Sequence, residues 1–269
     1  MTLSGVLLLA WLSRHRAAIV LAQGIRVRRS TPRLPAALGL KGRIGETDGR
    51  AVQLVVLGDS LAAAVGVDQH ADALGGHLAT RISTRTSRPV EWTIIGRSGA
   101  TAREVSALVD DAVLGAADIV VVSVGVNDTK NLHSRATWRA QLSALLDRVI
   151  EASPQAAILF IPLAPLAEFP ALPAPLKTVL GRRADEFNAI AGELIAVRPR
   201  ILLSDVAFEP SHRMFAADGF HPSSALHGIF ADGVVTALDR AGTHGVLAAV
   251  EQEPPHHRAS AGIFDDPSS

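Results

Sequence analysis

The 269-residue sequence contains no cysteine, so it can form neither a disulfide nor a thiolate nucleophile. That fits a reducing compartment without excluding export. It also lacks an excess of either charge: Lys and Arg number 26, Asp and Glu number 26, and the formal net charge is zero. No global field draws the chain to a polyanion, and no basic segment is interleaved with aromatics, so nucleic acid is not an expected partner. Long apolar runs are missing too. Leu3 to Leu12 is apolar, but Arg14, His15 and Arg16 end it well short of the ~20 residues that span a bilayer. No positive charge precedes that run and no small-x-small cleavage site is convincingly placed after it, so a cleavable secretory signal is not expected. There is no internal repeat, no Gly-rich phosphate loop after the first strand, and no His/Asp/Glu set at metal-ligand spacing. Neither a metal nor an organic cofactor is expected.

What the chain does have is an apolar fraction of 48% and, from residue 52 on, short β-branched runs alternating with helical patterns. Strands are expected over 52–57, 90–95, 119–124, 157–161 and 201–205. Helices are expected near 71–83, 102–114, 134–152, 176–197 and 223–240. Strands that are apolar throughout, separated by helices, indicate a parallel sheet covered on both faces. The expected fold is therefore α/β: a three-layer α/β/α, flavodoxin-like domain with a five-stranded parallel sheet. Trp138, Leu142, Leu145, Leu146 and Val149 recur at three- and four-residue steps, which gives the 134–152 helix one face to pack on that sheet.

The first strand ends in Gly58-Asp59-Ser60-Leu61. A serine in the turn beyond a buried parallel strand sits where α/β proteins place their chemistry. Three further segments stand at strand ends or before a helix: Ser98-Gly99, Gly125-Val126-Asn127-Asp128 and Asp218-Gly219-Phe220-His221. Acyl transfer through serine needs a base, an acid to orient that base, and donors for the tetrahedral oxyanion; these segments contain all three.

The four ordered blocks resemble the SGNH (GDSL) hydrolase family over roughly residues 52 to 240. The resemblance implies that Ser60 is the nucleophile, His221 the general base and acid, and Asp218 the residue that orients His221. It implies an oxyanion hole made of the backbone N–H groups of Ser60 and Gly99 and the side-chain amide of Asn127. Where the family's second block often opens with Asn, this chain has Gly96-Arg97-Ser98-Gly99 and keeps the glycine donor. The expected activity is hydrolysis of a carboxylic ester or thioester of a small molecule or lipid, esterase- or lysophospholipase-like. An acyltransferase using the same acyl-enzyme, or a non-catalytic lipid- or glycan-binding module, are the alternatives. A G-x-S-x-G elbow is absent, since Gly96-Arg-Ser-Gly-Ala100 lacks its second glycine position.

Other residues carry blander readings. Asp59 and Asp128 read as loop supports. His70, His77, His133 and His212 have no acidic partner at the spacing of Asp218 and His221, and read as surface or loop residues; His227 reads as a surface helix position, with a place lining the site as the alternative. Pro162 to Leu176 follows the fourth strand, so Leu163, Leu166 and Phe169 offer an apolar substrate wall, with completion of the core as the equal alternative. Residues 1–49 read as an apolar and basic helix followed by a Pro/Gly-rich connector, 50–245 as the hydrolase domain, and 246–269 as a disordered tail. Arg26, Arg28, Arg29 and Arg33 follow the first apolar run, and no acid appears before Glu46. The amino-terminal helix is thus expected to pack on the domain or to make a peripheral membrane contact through residues 1–29, with a true span as the remaining reading. The expected location is cytoplasmic or membrane-associated.

Overall fold

The structure is a computed structural model; it describes residues 3–45 and 49–241, with side chains from residue 17 onward. The chain opens with helix α1 (Leu3–Ser30) and a short strand β1 (Lys41–Ile44), then alternates. In order come β2 (Val52–Gly58), α2 (Leu74–Thr86), β3 (Val90–Gly96), α3 (Ala102–Ser106), α4 (Asp111–Gly115) and β4 (Ile119–Ser123). They are followed by α5 (Val126–Lys130), α6 (Arg135–Ala152), β5 (Ala157–Ile161), α7 (Leu176–Ala196), β6 (Ile201–Leu203) and α8 (Ser224–Arg240). The expected tail from 246 on lies outside the described residues.

The α/β class with a parallel sheet flanked by helices is as expected, and the strand count is not. The sheet has six strands in the order β1-β3-β2-β4-β5-β6, and β1 runs antiparallel to β3 while the others are parallel. The sixth strand comes from the segment read as a connector. Lys-Gly-Arg-Ile carries no strand pattern; a tertiary fit holds it, because a Cβ at Gly42 would lie 2.0 Å from the ring of Trp92 on β3. Tertiary packing of this kind overrides local propensity.

Strand order reverses at β2, with β3 on one side and β4, β5 and β6 on the other, so a crevice opens at its carboxyl end. Register makes that crevice level: Gly58 stands beside Gly96 on β3 and Ser123 on β4. A Cβ at Gly58 would lie 2.1 Å from the Ser123 carbonyl oxygen, so only glycine lets the strands come this close where the chain turns toward Ser60.

The helices hold these ends in place. On α6 the five apolar residues Trp138, Leu142, Leu145, Leu146 and Val149 are fully buried, as their spacing requires. Trp138 stacks on Phe187 of α7 at 4.9 Å between centroids and donates its indole N–H to the Phe187 carbonyl. The single helix expected over 102–114 is two, because Asp110 accepts from the N–H groups of Ala112 and Val113 and starts α4 as an N-cap. The carboxyl half of α1 packs on the domain through Val20 and Val27. Between them Gln23 clasps the segment before α7, donating to the Ala174 carbonyl at 2.7 Å and accepting from the Leu176 N–H at 3.0 Å. Among the described residues no helix is long and apolar enough to cross a membrane.

Candidate active site

Ser60 lies in a turn built by its neighbour. The Asp59 N–H donates to the Ser123 carbonyl, the Asp59 carboxyl accepts from the Leu61 N–H at 3.1 Å, and the Asp59 carbonyl accepts from Ala63. Asp59 is only 3% exposed. Burial pushes its carboxyl up to about 7, against the opposing pull of the Leu61 N–H and the Lys130 ammonium. Asp59 is therefore a support of the turn, as read from the sequence, with charge behaviour that the sequence did not disclose.

Across the crevice, Asp218 and His221 form a tight local unit. Asp218 Oδ1 accepts from the N–H groups of Phe220 and His221, both at 2.9 Å, and Oδ2 lies 2.5 Å from His221 Nδ1. Burial alone would raise the Asp218 carboxyl; the hydrogen bonds from the His221 ring, the His221 N–H and the Phe220 N–H outweigh it and hold the group below its ordinary value. An ionised carboxylate only accepts, so the hydrogen of this pair sits on Nδ1, and in the neutral imidazole that tautomer puts the lone pair on Nε2.

Ser60 and His221 line one cavity of about 50 Å3, together with Leu163, Phe169, Phe220 and Ser123. Among the described residues no direct hydrogen bond joins Ser60 to His221. A catalytic pair that tightens only around substrate has this form in a ligand-free protein.

Three donors stand at the other carboxyl ends. The N–H groups of Ser60 and Gly99 donate to no described residue. Gly99 has φ +83°, which turns its exposed amide in a way other residues rarely adopt. Asn127 is 4% exposed and gives one amide hydrogen to the Ala100 carbonyl at 2.9 Å, which ties the α5 turn to the Gly99 loop; its second amide hydrogen goes to no described residue. Asp128, fully buried, accepts from the Ala102 N–H and from His133 Nδ1 at 3.0 Å. The same two loops are thus fastened twice. Neither Gly99 nor Asn127 lines the cavity itself.

The proline-rich segment divides. Leu163 and Phe169 line the cavity, and Phe169 meets Phe215 and Phe220 edge to face at 5.0 and 5.3 Å. Leu166 is fully buried away from it, so for this residue the core reading holds.

Several residues escaped the sequence reading. His70 and His227 are 1% and 0% exposed, not surface residues, and none of their ring nitrogens has a partner among the described residues. Burial and the nearby His77, His70 and His221 lower His227 to about 3. His133 pairs with Asp128 as described. Lys130 ends the short helix that begins beside Asn127, and its ammonium stands 4.8 Å from the centroid of Phe220, a wall of the cavity. Ser123 offers the cavity a buried hydroxyl that has no partner among the described residues. Its one visible signal was a lone hydroxyl closing a run of valines. No group of three or more His, Cys, Asp or Glu among the described residues is placed to hold a metal ion.

Residues 56–229 match the model of the GDSL-like lipase/acylhydrolase family. Similar solved structures include the lipase Lip_vut3 from a goat rumen metagenome, with TM-score 0.60 and 18% identity over 73% of this chain and 100% of that one. A lipase/acylhydrolase from Enterococcus faecalis gives TM-score 0.54 and 21% identity over 69% and 94%. The psychrotrophic esterase EstA from Pseudoalteromonas sp., solved inhibited by monoethylphosphonate, gives 0.52 and 17% over 70% and 97%. At these identities the likeness is one of fold. No curated protein matches the sequence.

Proposed function

The chain belongs to the GDSL-like lipase/acylhydrolase family of ester-hydrolysing enzymes, and we propose that it works through an acyl-enzyme on Ser60. The observation that carries this reading is that Ser60 shares one cavity with His221, whose Nδ1 is held 2.5 Å from Asp218 Oδ2.

In this mechanism His221 Nε2 takes the hydroxyl proton as Ser60 Oγ attacks the acyl carbon, and Asp218 stabilises the imidazolium that results. The oxyanion forms against the N–H groups of Ser60 and Gly99 and the second amide hydrogen of Asn127. Collapse expels the alkoxide, which leaves with the proton from Nε2. Water then repeats the sequence on the acyl-enzyme: Nε2 takes its proton, the acid is released, and Ser60 regains its hydrogen. No step calls for a cofactor. A cavity of about 50 Å3 walled by Leu163, Phe169 and Phe220 takes a small acyl group, and a longer chain must extend through the mouth.

p-Nitrophenyl esters of graded acyl length, run beside acyl-thioesters and with alcohol acceptors added, test the reading. Hydrolysis that falls as the chain outgrows the cavity is expected. Transfer to the alcohol in preference to water would assign an acyltransferase, and binding of esters without turnover would assign a non-catalytic module.

A further inference from the structure

Helix α1 has two faces in its described half. Val20, Gln23 and Val27, three and four residues apart, turn toward the domain and are half-buried. The opposite face carries Ala18, Leu21, Ala22 and Ile25, again at helical spacing, and it is open to solvent; Leu21 is 63% and Ile25 46% exposed. Ile19 extends the face at 49% exposure. A surface helix of a soluble domain ordinarily shows polar residues on this side. Just beyond, Arg26, Arg28 and Arg29 are exposed, and none makes an ion pair with a described residue. A helix C-terminus favours cations, which accounts for charge in the last turn but not for two preceding turns of exposed aliphatic side chains.

The position of this helix links it to the cavity. Gln23 holds both sides of the Ala174–Leu176 peptide segment, at the end of the proline-rich loop that supplies Leu163 and Phe169. Arg28 lies within electrostatic reach of Lys130, the ammonium over Phe220. Leu34, just past the helix, comes against Gly66 beside His221: a Cβ built on Gly66 would stand 3.0 Å from Leu34 and 3.8 Å from His221. The carboxyl end of α1 and the chain just past it therefore lie close to residues of the site without lining its cavity.

We propose that the outward face of α1, with Leu21 and Ile25 inserted and Arg26, Arg28 and Arg29 against the headgroups, docks on an anionic lipid surface and brings the cavity mouth to esters held there. The charge pattern selects the occupant. Aliphatic residues beside arginines that pair with no described residue match an interface of acyl chains under anionic headgroups, whereas a second copy of this chain would set arginine against arginine. The part of the proposal that concerns esters rests on the hydrolase reading above; the docking does not.

Co-sedimentation of the full chain with phosphatidylcholine vesicles, with and without phosphatidylglycerol, tests it, using L21E/I25E and R26E/R28E/R29E beside the wild type. Circular dichroism melts check that the variants fold, which the packed face, untouched by these changes, allows. The wild type is expected to sediment with the phosphatidylglycerol vesicles and to be released by salt. Each variant is expected to bind about a hundredfold more weakly, the triple variant because three favourable headgroup contacts are reversed. Wild type that stays in the supernatant with both vesicles would overturn the proposal, as would folded variants that bind like the wild type. A wild-type dimer in solution that L21E/I25E converts to monomer would assign the face to a second copy instead. Since binding is read without turnover, an inactive protein that still docks would refute the hydrolase reading and leave the docking intact.

Discussion

Asp59 stands next to Ser60 with its carboxyl buried, and replacing it by asparagine tests how the turn under the nucleophile handles charge. Burial lifts the group from its ordinary 3.8 to about 7. Between those values the folded protein holds a proton that the unfolded chain has released, so stability falls as pH rises across that window. Carried to pH 8, the penalty is ~4 kcal/mol at ~1.4 kcal/mol per pH unit. Asp59→Asn removes the titration and keeps an oxygen to accept from the Leu61 N–H, which is 3.1 Å away. Its amide hydrogens need partners of their own, at a cost of ~1–3 kcal/mol. The expected result is a variant ~1–3 kcal/mol more stable than wild type at pH 8, with that advantage gone near pH 4. Urea midpoints at matched m-values across that range read it directly. A variant whose difference from wild type is the same at pH 8 and pH 4 would refute the reasoning, because the carboxyl would then not be titrating in the folded state.

His227→Phe should act in the opposite pH range: the unfolded chain takes a proton below about 6.5 while the buried imidazole, lowered to about 3, does not, so wild-type stability falls toward acid. The variant is expected to lose that acid limb in urea melts, and an unchanged limb would place the sensitivity elsewhere. Asp218→Asn would put an amide N–H against the Nδ1 proton of His221 and favour the wrong tautomer; kcat on an activated ester should fall by ~10³- to 10⁴-fold, against no more than a few-fold if Asp218 only supports the loop. Asn127→Ala should lower kcat by ~10²- to 10³-fold with a smaller change in KM, and a change in KM alone would make Asn127 a substrate contact.

Much of this architecture was legible in the chain because burial writes itself into periodicity. The strand over Ala157–Ile161 coincides with the expected one, and the helix over Arg135–Ala152 begins one residue from its expected start after the Ser134 cap. The parts that were hidden depend on contacts distant in sequence. Strand β1 exists because Gly42 fits under Trp92, some fifty residues away, and no local pattern announces that fit. His227 looked exposed because a lone histidine in a helix usually is; its burial follows from the packing of α8 on the domain. At the site, the pairing of Asp218 with His221 was readable from three-residue spacing across Gly219. The placement of Lys130 over Phe220 was not, since α5 and the Phe220 turn meet only in the fold. Leu166 shows the limit in the other direction: its loop borders the cavity, yet its side chain turns into the core.

The central claim is that Ser60 is the nucleophile, and covalent labelling tests it most directly. Wild-type protein treated with an alkyl fluorophosphonate should carry a single adduct, located by peptide mass analysis on Ser60, with loss of ester turnover in proportion to labelling. Ser60→Ala should remain folded, take no label, and lose ~10⁴-fold or more in kcat. A folded Ser60→Ala protein that hydrolyses an activated ester at near wild-type rate, or an adduct on another residue that tracks the loss of activity, would contradict the account.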